Sequence, residues 1–102
     1  MSIDEVKIRR EAVRWILLLA LNNTRPIGAY LELLLPIAQA VYPDFTVKEL
    51  QRELGYLSER SLIKVDRQPC GRWHSELTHY GVDIAEYTID CRPGIARPEK
   101  YW

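Results

Sequence analysis

The chain has 102 residues, 47% of them hydrophobic and 27% charged, with 14 basic side chains set against 14 acidic ones. That length makes one domain, able to bury about two-thirds of its unfolded surface in a single core. A formal charge of zero excludes the strongly basic class that holds polyanions by net charge alone, so any nucleic-acid contact has to come from local segregation of charge. The apolar run Trp15 to Leu21 is far shorter than the roughly 20 residues that cross a bilayer. Lys7, Arg9, Arg10 and Arg14 are interleaved with Glu11 and apolar positions, unlike an export signal. Two cysteines, Cys70 and Cys91, make no disulfide framework, and the expectation is a cytoplasmic protein with both thiols reduced.

Ser2 and Glu5 have the S/T-x-x-E spacing of a capping box, so a first helix is predicted to begin at once. Ile3, Val6, Arg10, Val13 and Leu17 trace one face, with Ile16 and Ala20 beside it. The second half of this helix, WILLLAL, is apolar all round. Such a helix must be covered on every side, either at the centre of the core or against a second copy of the chain. Asn22 to Gly28 is a polar turn containing Pro26. A second helix is predicted from Ala29 to Tyr42, burying Leu31, Leu34, Leu35, Ala38 and Val41, with a break near Leu35 because Pro36 lacks a donor and clashes with the preceding turn.

The start of the third helix has the strongest local signature. Thr46 and Glu49 form a capping box in which the Thr hydroxyl accepts from the Glu49 amide and the Glu49 carboxylate reaches back to the Thr46 amide. Phe45 and Leu50 are placed as a hydrophobic staple, and Pro43 closes what precedes them. Val47, Leu50, Leu54 and Leu57 then form one apolar stripe, while Lys48, Gln51, Arg52, Gly55 and Glu59 occupy the opposite face. Long polar donors in the first two turns suit a recognition helix. The same face also reads as plainly solvated, and Glu49, Glu53 and Glu59 among the basic groups are expected to repel phosphate. Gly55 costs the helix roughly 1 kcal/mol against Ala, which close approach of another backbone would repay.

After Ser61 the pattern switches to period two. Leu62 to Arg67 and Arg72 to Leu77 are predicted to pair as strands around a loop, Gln68 to Gly71, in which Gly71 is free to take a positive φ. Trp73, Ser75 and Leu77 face one side of this hairpin, and His74 and Glu76 the other. Arg67 and Arg72 flank the hairpin tip, with Lys64 further down, where they suit phosphate or minor-groove contact or serve only to solubilise a loop. Thr78 caps a last helix, His79 to about Thr88, whose Tyr80, Ile84, Ala85 and Tyr87 pack back on the first. The tail from Asp90 to Trp102 holds Pro93, Gly94 and Pro98. With Ile95, Tyr101 and Trp102 it is too apolar to be free, and is expected to lie on the body or a partner. The domain proper is therefore 1–89, followed by the tail 90–102.

The element order, three helices, a hairpin and a fourth helix, is mainly α with a small β-hairpin (α+β), and is that of a winged helix-turn-helix. The string LGYLSERSLIKV, followed by a hairpin and LTHYGVDIAEY, resembles the YL-x-x-R-x-L(I/V) and LT-x-x-G patterns of ArsR-, MarR- and PadR-type winged helices over about half the chain. With the ending CRPGIARPEKYW, the whole is also similar to small winged-helix proteins of Mu-like prophages. Ser61 stands where that pattern usually has glycine. The resemblance implies a DNA-binding protein of the transcription-regulator type, pairing as a homodimer through the first helix and the C-terminal region. Double-stranded DNA would be read in the major groove by Thr46, Lys48, Gln51, Arg52 and Tyr56, with Lys64, Arg67 and Arg72 on its backbone. The alternative is a winged helix that binds protein, as a phage assembly or packaging adaptor.

Other chemistries fit poorly. Cys70, His74, His79 and Cys91 match no common zinc spacing, and the ArsR-type Cys-x-Cys pair is absent from the third helix. The H-x-E of His74 and Glu76 is followed by no P-C-x-x-C and is no HExxH. The five glycines are isolated, and no nucleophile has a base at a suggestive spacing. The expectation is a non-enzyme without cofactor or metal.

Overall fold

A computed structural model describes residues 3–100. Four helices and a three-stranded antiparallel sheet follow one another as α1 (Ile3–Asn23), β1 (Ala29–Tyr30), α2 (Leu31–Val41), α3 (Val47–Glu59), β2 (Ile63–Arg67), β3 (Trp73–Leu77) and α4 (His79–Ala85). This is the winged helix-turn-helix arrangement. The sheet runs β1-β3-β2, with Ala29 opposite Ser75 and Ile63 opposite Leu77. The two-residue β1 was not foreseen. Ala29 and Tyr30 add a third strand where the sequence suggests the first turn of α2.

The apolar end of α1 is at the centre of the core. Val13, Leu17, Leu18 and Leu21 are fully buried with Leu34, Leu50, Leu54, Leu57 and Ile84, so the choice between core and partner falls to the core for these residues. The earlier turns differ from the predicted stripe. Val6 of that stripe is 39% exposed and Ile8 beside it 63%, whereas Arg9 is buried. The predicted Ser2 cap lies outside the described residues.

α2 is continuous through Pro36, against the expected break. A proline in a helix interior, which removes one hydrogen bond and crowds the preceding turn, costs about 3 kcal/mol. Here Pro36 lies on the solvent side, while Leu31, Leu34 and Ala38 on the opposite face are packed in the core and hold the helix in one piece. Val41, expected to be buried, is 52% exposed. Gln39 Nε2 donates to the Phe45 carbonyl at 2.9 Å and fixes the turn into α3.

Both α3 and α4 end in the same device. The Leu62 amide reaches the Leu57 carbonyl and the Ser61 amide that of Ser58, with Ser61 left-handed at φ 62. In α4, Thr88 reaches Asp83 and Tyr87 reaches Ile84, again with φ 62 at Tyr87. These are Schellman ends, in which the left-handed position ordinarily belongs to glycine. The turn after α3 therefore survives the replacement of glycine by Ser61. The left-handed Tyr87 stops α4 at Ala85, short of the predicted Thr88, and Tyr80 is half-exposed instead of packed on α1.

Thr78 ties the hairpin to that turn. Its amide donates to the Leu62 carbonyl at 3.0 Å, its hydroxyl donates to the Ser61 carbonyl, and the hydroxyl accepts from the Gly81 amide. A Cβ on Gly81 would run into the Leu62 carbonyl, which explains the glycine of the LT-x-x-G string. The described part of the tail lies on the body. Ala96 donates to Glu11 of α1, Tyr87 to the Pro98 carbonyl, and Arg97 to the carbonyls of Ile84 and Ile89. Tyr101 and Trp102 lie outside the described residues. Among those described, no helix is long and apolar enough to cross a membrane.

Replacing Ser61 by Gly should relieve the left-handed strain and raise stability by about 1 kcal/mol, moving the thermal midpoint up by roughly 5 °C. Thermal denaturation followed by circular dichroism checks this.

Candidate nucleic-acid interface

α3 carries the polar surface the sequence singles out. Its inner face is Leu50, Glu53, Leu54 and Leu57, all buried. Lys48, Arg52, Gly55 and Glu59 follow one another at four- and three-residue steps along the outer face, with Gln51 and Ser58 beside them. Thr46 caps the helix by accepting from the Glu49 amide at 3.1 Å. Only half of the predicted capping box forms. The Glu49 carboxylate accepts from the Thr46 hydroxyl and turns to Arg9 instead of reaching back to the Thr46 amide.

The acidic groups are the main correction to the sequence reading. Glu53 does not lie among the outward basic groups; it is 0% exposed, held by Arg14 Nε at 2.8 Å and Arg10 Nε at 3.1 Å. The same Arg14 donates to the Gly94 carbonyl of the tail and stacks over the Tyr56 ring at 3.5 Å. Glu49 is drawn in by Arg9, which also pairs with Asp44 at 2.8 Å and lies over the Tyr42 and Phe45 rings. The hydrogen bond from Arg9 holds the Asp44 carboxyl below the usual carboxylate range. Of the three glutamates expected to repel phosphate, only Glu59 faces out.

The wing divides the remaining candidates. Strand alternation puts Ile63, Val65 and Arg67 on the sheet face turned to the helices, and Lys64 and Asp66 on the other. Arg67 stacks over Trp73 at 4.4 Å, and among the described residues neither it nor Lys48 has an ion-pair partner. Arg72 is not free. Its Nε and Nη2 both donate to one Glu32 oxygen at 3.0 and 2.8 Å, its guanidinium lies 3.8 Å over the Tyr30 ring, and Gln68 donates to the Tyr30 hydroxyl. Gly71 at the tip takes the expected positive φ, 88°. Tyr56 is half-buried between the guanidinium groups of Arg14 and Arg60 and beneath Gly94.

The structure thus keeps Lys48, Gln51 and Arg52 together on α3, with Arg52 Nε at 3.5 Å from Glu53 but its side chain still half-exposed, and puts Arg67 on the helix-facing side of the wing. It separates Lys64, ties down Arg72, encloses Tyr56 and commits the Thr46 hydroxyl to the cap. Ser58 was missed, although it falls within about 20° of Gln51 on the helical projection that identified the others. Cys70, His74, His79 and Cys91 are not gathered. Among the described residues no three His, Cys, Asp or Glu side chains could hold a metal ion.

No family model matches the chain, and neither does any curated protein. A solved structure from Ralstonia eutropha JMP134, described provisionally as a DNA-binding protein, superposes with a TM-score of 0.62 at 23% identity, over 76% of this chain and 95% of that one. At that identity the likeness is one of fold.

If Glu32 and Tyr30 hold the wing through Arg72, Arg72→Ala should speed amide exchange several-fold at Gln68 and Gly71 while leaving the α3 amides unchanged. Hydrogen exchange read by NMR checks it.

Proposed function

We propose that the protein binds double-stranded DNA, laying α3 in the major groove with Lys48, Gln51 and Arg52 toward the base edges and Arg67 of the wing on the sugar–phosphate backbone. The observation that carries this reading is the removal of acid from α3. Two of its glutamates are turned inward and neutralised by Arg9, Arg10 and Arg14, so an electrically neutral chain still offers an N-terminal half of α3 that is basic on its outer side. The positive end of the helix dipole lies at the same end. The fold shared with the Ralstonia protein supports the reading without specifying a target. The role as a phage-type transcriptional regulator rests on the resemblance of LGYLSERSLIKV, LTHYGVDIAEY and CRPGIARPEKYW to such winged helices. Assembly as a homodimer belongs to the same reading: Leu17, Leu18 and Leu21 are covered within one chain, and its contacts fall to exposed apolar side chains such as Ile8 and Leu19 of α1.

A second reading, a winged helix that docks on protein, is favoured by the outer side of α2. There Leu33, Pro36, Ala40 and Val41 are exposed together, bordered at the N-terminal end by the paired Glu32 and Arg72. The two separate on salt dependence.

Gel shifts on genomic fragments across a salt series should show retention that falls with salt. Arg52→Ala should cost roughly tenfold in affinity, and Arg67→Ala should lower the salt slope by about 1. Arg72→Ala, whose charge is already paired, should leave the slope unchanged. Absence of salt-dependent retention in the unaltered protein would overturn the DNA reading in favour of the protein-docking one.

A further inference from the structure

Gly55 sits in the interior of α3, on its outer face, where glycine is a poor helix former and exposes backbone to water. A glycine is usually kept for one of two reasons within a fold, and neither holds here. Its φ is not among the positive ones. A Cβ built on it meets nothing within 4 Å among the described residues. The fold would accept alanine at this position.

The side chains around it give the open space a shape and a polarity. Gln51 and Arg52 rise on the N-terminal side of Gly55, and Ser58 and Glu59 on the C-terminal side, so the missing side chain leaves a notch across the exposed ridge of the helix. Lys48, Gln51 and Arg52 lie before the notch, and the one outward acid, Glu59, lies beyond it. A polyanion is attracted more to the first half than to the second, where Glu59 stands beside Arg60. The missing Cβ allows approach closer by about 1.5 Å, the length of one carbon–carbon bond. Arg52, three residues before Gly55, turns its Nε to Glu53 at 3.5 Å but keeps a half-exposed guanidinium, and Ser58, three residues after it, adds a hydroxyl on the other side; both groups donate to phosphate oxygen.

Resting on the major-groove reading above, we infer that the sugar–phosphate strand bordering the groove crosses α3 at Gly55, gripped between Arg52 and Ser58. The helix enters N-terminal end first, and Glu59 stays outside the groove. Gly55 is then a positioning residue: it sets how deeply α3 seats and which of its side chains reach base edges.

The test is a comparison of Gly55→Ala and Gly55→Leu with the unaltered protein and with Arg52→Ala, using a genomic fragment retained in gel shifts. Gly55→Ala should raise the thermal midpoint by a few degrees, as a better helix former. It should lower affinity roughly tenfold, the loss expected when a specific contact is displaced, with a larger loss for Gly55→Leu. The salt slope should hold, because no charge is removed. A Gly55→Ala protein that binds as tightly as the unaltered one, while Arg52→Ala is weakened, overturns the inference and leaves the major-groove reading standing. If the unaltered protein shows no salt-dependent retention, both fall, and the notch belongs to a protein partner.

Discussion

The buried pairing of Arg14 with Glu53 is the contact on which the rest of the arrangement depends. It joins the middle of α1 to the inner face of α3, and the same guanidinium reaches the tail carbonyl of Gly94 and covers the Tyr56 ring. Burying a carboxylate is costly unless attraction and hydrogen bonding together offset the lost hydration. Here two arginines from consecutive turns of α1 converge on one acid, and a third, Arg52, lies at 3.5 Å from it on the outer side. An apolar contact at this point would tolerate rotation of α3 about its axis; a directed pair does not. The angular position of α3, and hence which side chains it presents, is set from beneath.

The pair also explains how a chain of zero net charge can have a patterned surface. Arg9, Arg10 and Arg14 all lie on α1 and are used up on Asp44, Glu49 and Glu53. They contribute structure and cancel acid on α3, leaving Lys48 without an ion-pair partner among the described residues and Arg52 sharing an acid that two other arginines already hold. Total charge is therefore a poor guide here to what a partner meets.

Much of the fold was legible in the sequence, because its signals are local. The Thr46 cap, the 3.6-residue stripe from Leu50 to Leu57 (though not Val47, which is exposed), the switch to period two after Ser61 and the Thr78 cap each depend on residues a few positions apart. What could not be read depends on distant ones. β1 exists only because β3, at Ser75 and His74, offers Ala29 and Tyr30 an edge to pair with. Pro36 is tolerated only because the other side of α2 is packed. Glu53 reads as a surface residue until Arg14, 39 positions away, is seen to bury with it. The candidate surface divides in the same way. Lys48, Gln51 and Arg52 follow from helical projection, whereas the fates of Tyr56 and Arg72 are decided by Gly94 and Glu32, which no periodicity connects to them.

The anchoring of the wing has a consequence for how association would proceed. With Arg72 fastened to Glu32, its guanidinium lying on Tyr30 and Gln68 bonded to the same ring's hydroxyl, the β-finger is already restrained before anything approaches. A restrained finger has little configurational freedom left to surrender on docking, so more of the contact energy survives as affinity. The same rigidity limits accommodation: a surface of slightly different curvature cannot recruit the wing by bending it, and discrimination between surfaces would then rest on shape.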